Sequence, residues 1–163
     1  MTDTSQKLME ADRLLRRMIQ SQGRPDVFKA DVGAFLDAVR RVPSMLLKEF
    51  GACPVFMKWY EKRWASVNAN RSVKVLISGE AMDIRPRPAR GDVNGDTPLT
   101  ESVSIATSCG DGMTVLYDPP PSAVQQHWYF DVIPEMDVVA VCEECMDSLK
   151  SMVSDCERVF GCP

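Results

Sequence analysis

The sequence predicts an α+β protein, an antiparallel helical bundle of about four helices with a small antiparallel β-hairpin or sheet inserted before the last helix. Residues 26–50 and 137–160 repeat apolar residues at steps of three and four, which places them on one face of a helix. Residues 101–133 instead alternate apolar and polar residues between glycines and prolines, which is typical of strands and turns.

The first two predicted helices cover residues 5–21 and 26–50. Thr4 or Ser5 is expected to cap the first helix, because a side-chain oxygen there can accept a free backbone N–H. Pro43 is expected to kink or break the second helix, because proline removes a backbone hydrogen bond. The second helix presents an apolar seam for packing against another helix, formed by Phe28, Val32, Phe35, Val39, Val42 and Leu46.

A third helix is predicted over residues 54–68, which begin with a proline suited to a first helical turn. Residues 69–84 fit either a strand or a helix by their pattern, and the family resemblance described below implies a helix. Residues 85–98 are expected to form a loop, because alternating prolines exclude a helix there. The third helix carries the bulky side chains Phe56, Trp59, Tyr60 and Trp64.

The β insertion is expected over residues 99–133. Residues 102–106 and 113–117 predict a hairpin, and residues 127–133 predict a third strand. The last helix is predicted from Asp137, a good capping residue. Its apolar seam is expected to pack against the seam of the second helix, and it comprises Val139, Cys142, Met146, Leu149, Val153, Cys156 and Phe160.

The length of 163 residues fits a single domain over residues 1–163, with the helical part at 5–84. No apolar run is long enough to span a membrane, and the N-terminal residues lack the apolar core of a signal peptide. We therefore expect a cytoplasmic protein without a membrane partner.

Charge is distributed unevenly along the chain, whose net charge is −4. Residues 58–90 carry net +5 and residues 91–163 carry net −11. Two interpretations stay open. The basic stretch can meet phosphate groups of a nucleic acid, or it can face the acidic last third, within one chain or across a dimer.

Two features suggest chemistry only weakly. Cys142 and Cys145 have the spacing of half a zinc site, but no second pair accompanies them. His127 is the only histidine, and no nucleophile motif accompanies it, which favours a structural role. We therefore expect no metal site and no cofactor.

The basic, aromatic middle of the chain is the main candidate for binding. Arginines for phosphate and aromatic rings for base stacking would suit single-stranded RNA. The alternative is that the aromatic rings form core and the charges lie on solvated flanks. With two arginines from the second helix, the candidate binding residues are Arg40, Arg41, Trp59, Tyr60, Arg63, Arg71, Arg85 and Arg87.

Two short stretches carry a family resemblance. Residues 34–42 read AFLDAVRRV and residues 56–61 read FMKWYE. A helix with the first motif followed by a helix with the second resembles a group of small bacterial proteins whose helices look like the HEPN helical-bundle superfamily. The resemblance covers about residues 5–85 and, more loosely, the last helix. It implies a helical bundle and a homodimer.

Many HEPN proteins are metal-independent RNases. Their histidine, separated from an arginine by a gap of four to six residues, acts on the ribose hydroxyl while the arginine steadies the phosphate. If Arg71 is matched to that arginine, the histidine positions hold Leu76, Ile77 or Ser78. In a later register, Glu80 replaces the arginine and Arg85 stands near the histidine position.

The expected function is accordingly a non-catalytic, HEPN-like interaction module that self-associates and binds a protein or RNA partner. One alternative is a metal-independent RNase with an atypical site that uses arginines and a base other than histidine. Another is a small-molecule sensor with a pocket between the aromatic helix and the sheet, near Trp59 or Trp128.

Overall fold

A computed structural model of the chain describes residues 2–80, 83–87 and 127–161. The predicted fold class is confirmed, because the described residues form a mostly helical α+β structure with a two-stranded antiparallel sheet. The predicted hairpin at 102–106 and 113–117 lies outside the described residues. In chain order the elements are α1 (Asp3–Ser21), α2 (Pro25–Phe50), α3 (Pro54–Asn68), α4 (Arg71–Ser78), β1 (Ile84–Pro86), β2 (Trp128–Phe130) and α5 (Val138–Phe160).

The cap of α1 differs from the prediction. Thr2 is the N-cap, and its hydroxyl oxygen accepts a hydrogen bond from the backbone N–H of Ser5 at 3.1 Å. Thr4 instead lies inside the helix, where its hydroxyl donates to Glu49 of α2 at 2.7 Å. The cap prediction is wrong because Thr4 is buried against α2.

The predicted seam of α2 is confirmed, because all six of its residues are buried. The helix does not break at Pro43, whose ring is itself buried, and it continues to Phe50. Buried seam residues on both sides of the proline, Val39 and Leu46, hold the two halves against the core. Tertiary packing therefore outweighs the loss of one backbone hydrogen bond.

The helices pack around α1 and α5. The most extensive contact joins α1 to α2, while α5 packs mainly against α1 and α4. The seam of α5 therefore meets α2 over only a small area, and the predicted direct pairing of the two seams is a minor part of the core. Asp137 caps α5 as expected, with its carboxylate accepting from the backbone N–H of Val139 at 2.9 Å.

The ambiguous segment 69–84 begins as the expected helix. Asn70 caps α4, and Gly79 ends it with a φ of 89°, a left-handed conformation that costs glycine little. The expected loop over 85–98 is wrong at its start, because Arg85 and Pro86 belong to β1. Pro86 is tolerated there because a strand of a two-stranded sheet has an unpaired edge.

The sheet lies over the beginning of α2. The predicted third strand is present as the shorter β2, which pairs with β1 so that Pro86 lies opposite Trp128. The Trp128 ring stacks on Phe28 with centroids 5.2 Å apart, and its indole N–H donates to the carbonyl of Gln22 at 3.3 Å. In the described part of the chain, no helix is long and apolar enough to cross a membrane.

Candidate binding surfaces

The eight candidate binding residues do not form one site. Arg40 is a residue of α2 that contacts the end of α4. The next residue, Arg41, is exposed. The other six divide between the α3–α5 contact and the neighbourhood of the sheet. The first set is Trp59, Tyr60 and Arg63, and the second is Arg71, Arg85 and Arg87.

Arg40 supports the end of α4. Its Nε donates to the carbonyl oxygen of Leu76 at 2.8 Å, which is one of the free carbonyls of the last helical turn. Its Nη2 is buried without a hydrogen-bond partner in the described residues. These contacts give Arg40 a structural role at the end of α4.

The aromatic residues of α3 are largely core. Tyr60 is buried, and its ring lies parallel to Trp64 with centroids 6.1 Å apart. Burial raises the pKa of the Tyr60 hydroxyl. Trp59 is half-buried and packs on Phe56 and Phe160. The core interpretation therefore holds for Tyr60, while Trp59 keeps an accessible edge.

An apolar patch surrounds Trp59 where α3 begins and α5 ends. The Trp59 and Phe160 rings are 5.5 Å apart. Val55, one turn before Trp59, and Val159, next to Phe160, are 67% and 54% exposed, the highest values among the large apolar side chains of the described residues. We call Val55, Trp59, Val159 and Phe160 the apolar end patch. The ring contact thus joins the two helix turns that carry these exposed valines, and exposed apolar and aromatic groups are typical of interaction surfaces.

The basic middle of the chain pairs with the acidic last third inside the same molecule. Arginines from α3, α4 and β1 each contact a carboxylate beyond residue 130, so the within-chain interpretation is confirmed for three of them. The pairs are Arg63–Asp155 at 2.7 Å, Arg85–Asp131 at 2.8 Å, and Arg71–Glu135. These pairings lower the positive charge that a nucleic acid would meet.

Arg87 and His127 are neighbours on the solvent side of the sheet. Because side chains alternate along a strand, the buried Trp128 places its two neighbours on the opposite side. The backbone N–H of Arg87 donates to the carbonyl of His127 at 2.7 Å, and Arg85 lies opposite Tyr129. We call Arg85, Arg87, His127 and Tyr129 the outer sheet face.

Two side chains of the outer sheet face are held in place. Arg87 donates from Nη2 to the carbonyl of Pro134 at 2.6 Å, and its guanidinium carbon lies 5.9 Å from the centroid of the Tyr129 ring. Nδ1 of His127 lies 3.2 Å from Oδ2 of Asp137. The His127 side chain remains 63% exposed, so it presents its other ring nitrogen, Nε2, to ligands.

The contact between His127 and Asp137 is not predicted by the sequence. Asp137 was expected only to cap α5, and it does so with Oδ1 while Oδ2 meets the imidazole. The available signal was strand alternation, which predicts that His127 and Tyr129 share the face opposite Trp128.

The cysteines of α5 are buried thiols. Burial raises the pKa of Cys145 to about 12 and, with help from Glu157 and Glu49, that of Cys156 to about 11. Burial also raises the pKa of Cys142 well above its ordinary value. Such thiols are protonated near neutral pH and are poor metal ligands and nucleophiles. Within residues 2–80, 83–87 and 127–161, no group of three or more histidine, cysteine or acidic side chains could hold a metal ion.

Two open grooves run along α1, with volumes of about 620 and 390 Å³. Met9 and Arg13 line both of them. Neither groove is lined by Trp59 or Trp128, the two residues near which the sensor hypothesis expects a pocket.

Comparison of the chain with models of known protein families, with curated proteins and with solved structures finds no match.

Proposed function

We propose that the protein is a non-catalytic interaction module that self-associates through the apolar end patch. The observation that carries this proposal is the position of Val55 and Val159, the two most exposed large apolar side chains of the described residues, on the two helix turns that the contact between Trp59 and Phe160 joins. Burying this patch against a second copy would remove apolar area from water and place a tryptophan at the centre of the contact, where such residues contribute most.

Charge favours a protein partner over RNA for this module. Arg63, adjoining the apolar end patch, already contacts Asp155 and donates to Ser151 at 2.8 Å. Its charge is therefore matched inside the molecule, and an apolar contact does not require it to be desolvated alone. A homodimer is also what the resemblance to HEPN-type bundles implies.

The non-catalytic part of the proposal rests on the surroundings of α4. Arg71, the arginine of one possible HEPN register, contacts Glu135 and lies 3.3 Å from the carbonyl of Val132. Leu76, at one of the corresponding histidine positions, is fully buried. An arginine held by a carboxylate and a buried leucine do not supply the proton transfer that cleavage of RNA needs.

The proposal is tested by placing a charge on the patch. We expect Val55→Glu to weaken self-association by tenfold or more, because a carboxylate would be buried in an apolar contact. Val27→Glu is the matched control, because Val27 is also exposed, on the first turn of α2. Sedimentation velocity over a concentration series measures both. Equal dimerisation of the two variants would contradict the assignment of the patch.

A further inference from the structure

We propose that the outer sheet face is a binding site for phosphate groups, in which Arg87 and His127 hold the anion. The inference is independent of self-association. The outer sheet face lies at the beginning of α5 and the apolar end patch at its end, and the 23 residues of α5 separate them by about 34 Å.

Among the described residues of this region, Arg87 is the arginine without a carboxylate contact. Arg85 and Arg71 contact Asp131 and Glu135, whereas Arg87 has no carboxylate partner within the described residues. Its guanidinium meets only a carbonyl oxygen and the Tyr129 ring. A guanidinium has five N–H donors in a planar fork, so most of them remain for the oxygens of a phosphate, with which arginine forms strong paired hydrogen bonds.

His127 supplies a second group beside that fork. Residues directly opposite each other in an antiparallel pair have Cβ atoms about 5 Å apart, so Arg87 and His127 leave the same face of the sheet as neighbours, which the proposed contact of one phosphate with both side chains requires. The contact with Asp137 occupies Nδ1 and leaves Nε2 for the ligand. Nε2 of the charged ring donates to a phosphate oxygen, and Nε2 of the neutral ring with its proton on Nδ1 accepts from a protonated one.

The carboxylates near this face limit the anions that it can attract. Asp131, Glu135 and Asp137 all lie close by, and each contacts one cationic or imidazole group. With a neutral imidazole, the three carboxylates balance the charges of Arg71, Arg85 and Arg87, so this face has no excess positive charge and suits one phosphate held by hydrogen bonds better than a long polyanion. We expect dissociation constants of about 1 mM for inorganic phosphate, at the weak end of specific binding.

The single histidine makes the test specific. Nitrogen-15 NMR of the imidazole reports on His127 alone, because the chain contains no other histidine. We expect inorganic phosphate to shift these signals saturably, while sodium chloride at the same ionic strength does not. Uridine 5′-monophosphate is a second probe. Tighter binding than that of inorganic phosphate would identify a nucleotide as the ligand class, and equal binding would assign recognition to the phosphate group alone.

Arg87→Gln is expected to weaken both titrations about tenfold or more, the loss typical of a hydrogen bond to a charged group. Arg13→Gln, on the exposed face of α1, is the control and should leave them unchanged. Phosphorus-31 linewidths with His127→Ala give a second readout, in which binding should also weaken. The proposal is overturned if the imidazole signals do not respond saturably, if chloride has the same effect, or if Arg87→Gln binds as the wild type does.

Discussion

Asp31 shows how one buried polar residue ties two helices together. Its side chain is 3% exposed. One carboxylate oxygen accepts from Nε of Arg17 at 2.7 Å, and the other accepts from the hydroxyl of Ser21 at 2.8 Å. Both partners lie on α1, so Asp31 joins α2 to the helix with which it makes its largest contact.

Replacing Asp31 by alanine is therefore expected to lower the free energy of unfolding by about 2 kcal/mol, because Arg17 loses a charged partner and Ser21 loses its charged acceptor, keeping only the carbonyl of Met18. Asp26→Ala, which removes an exposed carboxylate from the same helix, is expected to change it by less than about 1 kcal/mol. Urea unfolding of the two variants measures the difference. Similar values for both would show that the buried network contributes little.

The buried thiols predict a loss of stability in alkali. Burial raises the pKa of Cys145 from 9.0 to about 12, so the unfolded thiol releases its proton first as the pH rises. The stabilisation is fully present below pH 9.0, and it is lost as the pH rises toward the folded pKa of about 12. Each pH unit within this window costs about 1.4 kcal/mol for this thiol.

Urea unfolding at about pH 8 and pH 10 tests the thiol prediction. Cys145→Ala should lose less stability between the two pH values than the wild type does. Cys53→Ala is the control, because Cys53 is an exposed thiol and should leave the wild-type pH dependence unchanged. An identical pH dependence in both variants would rule out Cys145 as its source.

At the residue scale, the sequence predicted burial better than it predicted partners. The 3/4 spacing of α2 identified six residues that are all buried, because a helix face is a local property. The partner of Asp31 lies 14 residues away and that of Arg71 lies 64 away. Such contacts depend on how helices are arranged, which periodicity does not encode.

At the scale of elements, α4 depends on its two ends. It has eight residues, and a helix of that length is not stable alone. The side-chain oxygen of Asn70 accepts from the backbone N–H groups of Ser72 and Val73 at 2.8 and 3.3 Å. Arg40 of α2 donates to the carbonyl of Leu76 in the last turn of α4, and Gly79 ends the helix before β1.

Asn70→Ala is expected to lower the free energy of unfolding by about 1 kcal/mol, because two N–H groups of the first turn lose their acceptor. Asn70→Asp keeps a side-chain oxygen at the cap and should retain most of the stability. Thermal unfolding of the two variants provides the measurement. If the Asn70→Ala and Asn70→Asp variants are equally stable, the side chain at position 70 does not stabilise α4.

Elements with a long apolar period were predictable, whereas the short strand β1 was not. The predicted range of α3 was correct, and that of α5 was correct with Asp137 as its cap. β1 was missed because a strand of three residues with a proline is held by pairing with β2, more than 40 residues further along the chain. Alternation in residues 127–133 did predict β2, because Trp128 and Phe130 are buried while Tyr129 is not.

At the scale of the whole molecule, charges of the basic stretch and of the acidic last third pair with each other within one chain. The three arginine–carboxylate pairs join the basic stretch to the acidic last third. Exposed pairs of this kind contribute little to stability, and each one reduces the positive charge that a nucleic acid would meet. The sequence left this choice open, because opposite charges distant in sequence pair only after folding.

The packing of the described residues does not account for the exposure of the apolar end patch. Val55 is two-thirds exposed, although α3 buries Phe56, Tyr60 and Val67 in the core. Exposed valines occur singly on most proteins, so the inference of self-association rests on two of them, Val55 and Val159, lying on the helix turns that the Trp59–Phe160 contact joins.

Sedimentation equilibrium of the wild-type chain tests this central claim most directly. At protein concentrations of tens of micromolar, a contact with a micromolar dissociation constant is largely formed. We expect a mass of twice the 18.2 kDa of one chain, falling toward the single-chain mass on dilution. A mass of 18.2 kDa at every concentration would show that the protein is monomeric and that the apolar end patch does not mediate self-association.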